Sequence, residues 1–194
     1  MNQSEKAARF AELHVKGAPL LLYNAWDAGS AKSILDVGAK AIATSSWAVA
    51  EAQGYRDGEA IPIGLVEQIV TRITGTVDAP VTVDFEGGYS DDDGVLAENV
   101  SRLLELGVIG INLEDRVVQG VGLYAIDRQA RRIAAIHDAA GKMGVDLFIN
   151  ARTDLFWAKK AIRRSLSAML WTVRRHMQPP ARRASSFRVC GTMH

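Results

Sequence analysis

Residues 1–158 alternate short apolar runs with helical stretches, and this alternation limits the fold more than any other feature of the chain. Pro19–Tyr23, Ala41–Thr44, Pro80–Asp84, Val108–Leu113 and Asp146–Asn150 read as five strands, apolar enough to be buried on both faces. Helices are expected between them. Asp27 is placed to N-cap one that runs to Val37 and stops at Gly38. Others are expected over Leu65–Ile73, Val95–Leu106 and Ile126–Met143, with a loop carrying Gly54, Asp57 and Gly58 after the second strand. Strand–helix alternation of this kind specifies an α/β fold, a parallel sheet covered by helices. A doubly wound sheet and a (β/α)8 barrel both satisfy it.

The polar residues are not scattered. They fall where strands end: Asn24 and Asp27, Ser45 and Ser46, Asp84 and Glu86, Glu114 and Asp115, Arg152 and Asp154. Parallel strands bring such ends to one edge, and a barrel makes them converge on one mouth. Asp84, Glu86 and Glu114, from two successive strand ends, form a hard-oxygen set suited to Mg2+, with Mn2+ as its substitute and waters completing the octahedron. A cation would offset their repulsion, which otherwise raises at least one pKa. Arg152 offers a bidentate contact to a carboxylate, phosphonate or enolate oxygen. Ser45, Ser46 and the backbone at Trp47 offer donors for the other end of such an anion. For any single acid, helix capping or pairing with a surface cation explains its presence equally well; for the whole set at strand ends it does not.

The remaining composition excludes several classes. No run approaches the ~18 apolar residues of a membrane span, and the first residues, MNQSEKAARFAELHVKGA, lack the apolar core of a secretory signal. A single cysteine, Cys190, excludes an internal disulfide framework and a cysteine-built zinc site, and suits a reducing, cytoplasmic setting. Gly120-Val121-Gly122 is half of a dinucleotide fingerprint and no strand carries the rest. His14 and His137 lie on predicted helices away from the strand ends, and Asp91-Asp92-Asp93 reads as the start of a helix.

NAWDAGSA, TSSWAVAEAQGYRDG, VTVDFEGGY, GINLED and FINARTD, in this order across residues 20–157, resemble the isocitrate lyase / phosphoenolpyruvate mutase superfamily. The resemblance implies a Mg2+-dependent (β/α)8 barrel that acts on small α-oxyacids through enolate-like intermediates. It implies that Asp84, Glu86 and Glu114 serve the metal, directly or through water. Ser45, Ser46 and Trp47 match its substrate-oxyanion loop, Asp57 an acid on its mobile gating loop, and Arg152 the arginine facing the reacting centre. The lyase branch carries Lys-Lys-Cys-Gly-His after the fourth strand. Here Glu114–Gly122 contains neither cysteine nor histidine, so the chain resembles the mutase, phosphonopyruvate-hydrolase or decarboxylase-like branch. A small oxyacid or phosphonate is the implied partner, without a specific nucleic acid or a membrane, and the resemblance allows a homo-oligomer for the full-length family.

The last 36 residues differ. Residues 1–158 hold all 22 acids and 14 basic residues, a formal charge of −8, whereas residues 159–194 hold 9 basic residues and no acid. The strand–helix grammar stops there, and the expectation is about five βα units of a partial barrel, followed by a poorly ordered basic tail. Reverse translation suggests why. Displaced by two bases, the codons of Trp171-Thr172 encode aspartate and those of Met177-Gln178 alanine. The whole of residues 169–188 then permits an amphipathic helix, a turn and a buried strand. A frameshift near residues 158–168 is therefore expected. The competing reading is an inactive remnant, or a non-catalytic protein that binds through its basic tail.

Overall fold

The computed structural model describes residues 1–117 and 120–155, and the tail expected to be out of frame, 159–194, lies outside them. The elements in chain order are α1 (Gln3–Glu12), β1 (Tyr23–Ala25), α2 (Ala28–Asp36), β2 (Ile42–Thr44), α3 (Ser46–Ala52), α4 (Ile63–Thr76), β3 (Val81–Asp84), α5 (Asp93–Glu105), β4 (Gly110–Glu114), α6 (Ile126–Lys142) and β5 (Phe148–Arg152). The strands form one parallel sheet in sequence order, β1-β2-β3-β4-β5. The described chain is thus the expected partial (β/α) barrel of five strands.

Local chemistry sets the helix boundaries. Asp27 caps α2 as expected, accepting from Ser30 N–H at 2.7 Å while Ser30 Oγ accepts from the Asp27 N–H. Gly38, with φ at 101°, ends that segment in a conformation that glycine adopts without steric cost. Asp92, the middle of the three aspartates, caps α5 through Val95 N–H. Two expectations are corrected. The first strand begins at Tyr23 rather than Pro19 and is buried only at Ala25: Tyr23 and Asn24 are exposed, as is Leu21, because no described strand pairs with its outer edge. The loop after β2 begins with the short helix α3, which Ser45 caps.

Alternation along β3, β4 and β5 sorts the side chains. Val81, Val83, Ile111, Leu113, Ile149 and Ala151 join the main core under the helices. The opposite face carries polar residues, because the register aligns Asp84 with Asn112, Asn112 with Asn150, and Glu114 with Arg152. The N-terminal ends of the strands are closed by α1. Its Phe10 packs edge-on against Phe148 with ring centroids 5.1 Å apart, in a small cluster with Ala7, Ala41 and Ile109. Gln3 fastens this helix by donating to the carbonyls of Leu104 and Val108 at 2.7 and 2.9 Å. His14 stacks on Phe148 with centroids 4.3 Å apart, a packing role far from the polar edge. Among the described residues no helix is long and apolar enough to cross a membrane.

Gly110 marks the tightest packing in the sheet. A Cβ there would come within 2.8 Å of Thr82 Oγ1 and 3.3 Å of the Phe148 carbonyl oxygen. Gly110→Ala should therefore lower stability by about 1–3 kcal/mol, the usual range for overpacking. Gly75→Ala, in α4 with nothing within 4 Å, should leave stability unchanged or raise it slightly. Urea unfolding of the two variants side by side checks the contrast.

Candidate active site

The C-terminal ends of β2, β3, β4 and β5 enclose a cavity of about 160 Å³ lined by Ser45, Ser46, Trp47, Asp57, Gly58, Asp84, Glu86, Glu114, Arg116 and Arg152. All eight residues singled out in the sequence lie on it. Four carboxylates and two guanidiniums face one small space, and the chain's own donors hold each acid that the resemblance assigns to a metal.

Asp84 ends β3. Its Oδ2 accepts from both the Ser46 hydroxyl, at 2.7 Å, and the Ser46 N–H, at 3.1 Å. On its other side Asn112 donates to Oδ1 at 3.5 Å, and Asn150 donates to Asn112 Oδ1 at 2.8 Å. A polar row thus crosses from β5 to the start of α3 and fixes the carboxylate. Ser46 is committed to Asp84, and Ser45 Oγ accepts from Ala48 N–H as the cap of α3. Trp47 is 59% exposed at the cavity rim.

Glu114 ends β4 one layer above. Its carboxylate is 2.7 Å from Arg152 Nη1, and Arg152 Nε donates to Asp154 at 3.0 Å. Arg152 is therefore held between two acids at the end of β5. Asp115 turns away from the cavity and clamps the next segment, accepting from the Thr153 hydroxyl at 2.6 Å and Asp154 N–H at 2.8 Å.

Glu86 lies two residues beyond Asp84, 4% exposed, with φ at 49°. A non-glycine residue in the left-handed region costs on the order of 1 kcal/mol, and such positions gather at functional sites. Its Oε2 accepts from Glu59 N–H at 2.9 Å. The turn that follows is held from below by Arg132 of α6, wholly buried, whose guanidinium donates to the carbonyls of Gly87 and Ser90 and lies 4.5 Å from the centre of the Tyr124 ring.

Burial is the first cause of the site's unusual acidities. It pushes Glu86 up to about 8, with Asp57, Glu59, Glu114 and Asp84 adding repulsion. Burial likewise pushes Glu114 up to about 7, although the Arg152 guanidinium pulls the other way. Such a cluster of buried acids takes protons or a cation. Among the described residues no three carboxylate, histidine or cysteine side chains already converge as a direct three-ligand metal cluster. The donors nonetheless suit a hydrated hard cation: they are oxygens, they line one cavity, and water-sized space separates them.

Several contributors escaped the sequence reading. Asn112 and Asn150 stand two residues before Glu114 and Arg152, so period-two alternation places them on the same face. Arg116 follows the fourth strand's acids directly and lines the cavity. Arg132 and Glu59 carry no such local signal.

The fold and site define a partial (β/α) barrel with an acid-lined cavity at its strand C-termini. Residues 10–186 match the phosphoenolpyruvate phosphomutase family, and the chain belongs to that family. An uncharacterised protein of Mycobacterium tuberculosis is 33% identical over 151 residues, covering 78% of this chain. The chain spans 55% of the length of that relative. A crystal structure from Burkholderia cenocepacia J2315, provisionally described as a phosphonomutase, is 43% identical with a TM-score of 0.85, over 91% of this chain and 70% of that one. A second from the same organism, provisionally described as a lyase/mutase, is 28% identical with a TM-score of 0.79, over 90% and 62%.

Raised carboxylate pKa values fix the sign of a pH effect. Between the ordinary glutamate value of 4.5 and the folded values of about 7 and 8, the folded chain holds protons that the unfolded chain has released. Stability is therefore lost as pH rises through that window. The metal-free protein should melt at a lower temperature at pH 8.5 than at pH 6, and Glu86→Gln should remove much of the difference. Thermal melts across this range check it; the same slope in both proteins would contradict the assignment.

Proposed function

We propose that the cavity is the active site of a Mg2+-dependent enzyme that makes or breaks a C–C or P–C bond beside an α-oxo acid or its enolate. The observation that carries this reading is the two-layer arrangement: Asp84, Glu86 and Glu114 around one cavity, with Arg152 against Glu114. Asp84, Glu86 and Glu114 would hold the cation, with Mn2+ able to replace it. A cation bound there supplies Lewis-acid polarisation of the substrate's oxo oxygen.

The chain's own residues supply the rest. Arg152 bonds to Glu114 and Asp154, so its guanidinium is oriented before substrate arrives and stabilises negative charge developing at the reacting centre. Arg116, which pairs with no carboxylate among the described residues, is the second cation on the cavity and receives the substrate's other acid group. The cation with Arg152 at one end and Arg116 at the other offers separate contacts for the two charged groups of a dicarboxylate or a phosphonate. Ser45, Ser46 and Trp47 form the rim that orients it, and Asp57 is the acid that the adjoining loop brings over it. The absence of cysteine and histidine in Glu114–Gly122 removes the cysteine with which the lyase branch handles a proton during C–C cleavage. The setting is cytoplasmic, and the frame displacement near residues 158–168 belongs to the same proposal, although the family match extends through that segment to residue 186. Sequencing the DNA decides the frame.

Mg2+ or Mn2+ should raise the melting temperature through ligand linkage, and Asp84→Ala should abolish the rise; an unchanged metal response in that variant would refute the ligand assignment. In activity assays of the frame-restored protein, small phosphonates and 2-oxo dicarboxylates should turn over and isocitrate should release no glyoxylate, whereas the chain as it stands, with five strands among the described residues, should turn over poorly. Arg152→Ala should lower kcat/KM by roughly 100-fold or more, the scale of losing one preorganised charge-stabilising donor. Efficient isocitrate cleavage would overturn the reaction class.

A further inference from the structure

Among the described residues, three non-glycine residues have left-handed backbone: Glu59 at φ 57°, Glu86 at φ 49° and Tyr89 at φ 62°. Hydrogen bonds join these same three residues. Glu59 N–H donates to Glu86 Oε2 at 2.9 Å, and Tyr89 N–H donates to Glu59 Oε1 at 2.7 Å. Glu59 therefore holds the Glu86 carboxylate with its backbone, and the turn behind Glu86 with its side chain. Strained conformations persist only where surrounding contacts over-determine them, and here each strained residue is a contact of another.

We propose that Glu59 is a positioning residue that aims the Glu86 carboxylate at the cation and ties the loop between α3 and α4 to cation binding. This rests on the assignment of Glu86 to the cation site made above. Glu59 N–H engages Oε2 and leaves Oε1 as the oxygen for the cation. Asp57 lines the cavity two residues before Glu59, so whatever fixes Glu59 also fixes Asp57. A cation drawn to Glu86 thus orders the loop, and departure of the loop leaves Glu86 without its orienting donor. Partners of this outer kind typically change metal affinity 10–100-fold.

The Glu59 side chain, whose bond to Tyr89 N–H holds the Glu59 N–H in place against Glu86, can be removed while that N–H is kept. Glu59→Gly keeps the N–H and tolerates the positive φ, but loses the link to Tyr89. Glu59→Gln keeps an acceptor for Tyr89 N–H. Mn2+ affinity is measured by calorimetry, and the loop is followed by tryptic cleavage after Arg56, which lies exposed on it, with and without Mn2+. Glu59→Gly should bind Mn2+ about 10–100-fold more weakly, and Mn2+ should no longer protect Arg56. Glu59→Gln should stay close to the parent in both respects, and metal-free melting temperatures report whether each variant is folded. Parent-like Mn2+ affinity and protection in Glu59→Gly would overturn the proposal. Should that variant not fold, Mn2+ binding to the parent without protection of Arg56 would overturn it equally. If the parent binds no Mn2+, the cation-site reading itself fails and this proposal falls with it, a result distinct from equal binding by parent and variant.

Discussion

Carboxylates crowded around one cavity repel one another, and the site is organised around that repulsion. Among the described residues, Asp57, Asp84, Glu86 and Glu114 share a space with Arg116 and Arg152 as the cations that line it. Water would ordinarily screen the acids, but Glu86 and Glu114 are nearly fully buried. The chain answers with dipoles and one ion pair: Ser46 on Asp84, the Glu59 N–H on Glu86, and Arg152 on Glu114. These contacts orient the acids without cancelling their charge, which is why burial still pushes Glu86 and Glu114 toward the protonated form. A divalent cation would remove the remaining repulsion, so affinity for metal follows from how the acids are held.

The rest of the fold serves this arrangement by separating two ends of one sheet. At the N-terminal ends, α1 seats Phe10 against Phe148 and excludes water. At the C-terminal ends, the same alternation that sends Ile111, Leu113, Ile149 and Ala151 into the core sends Asn112, Glu114, Asn150 and Arg152 to the polar face. Arg132 stabilises the strained turn after Glu86 from the side of α6, with backbone carbonyls as its principal partners. A lysine there could not span the two carbonyls in one fork.

Most of this was legible in the sequence because it depends on short-range pattern. Alternation revealed the five strands, capping residues such as Asp27 and Asp92 located helix starts, and strand-end acids pointed to the cavity. What was missed depends on long-range geometry. The first strand starts later than its composition suggests, because Leu20, Leu21 and Leu22 have the composition of a buried strand while pairing begins only at Tyr23. Glu59 gains its role from a turn 27 residues further on, a distance over which local pattern carries no information. Arg132 is buried on a helix where an arginine would ordinarily be solvated, and only the fold brings Gly87 and Ser90 within its reach.

The central claim is that the ends of β3 and β4 form one cation site. Its most direct test is the anomalous difference map of crystals soaked in Mn2+. A single strong peak should lie in the cavity beside Asp84, with Glu86 and Glu114 ligating directly or through water. A peak elsewhere, or an empty cavity at saturating Mn2+ with the three acids still held by Ser46, Glu59 and Arg152, would contradict the account.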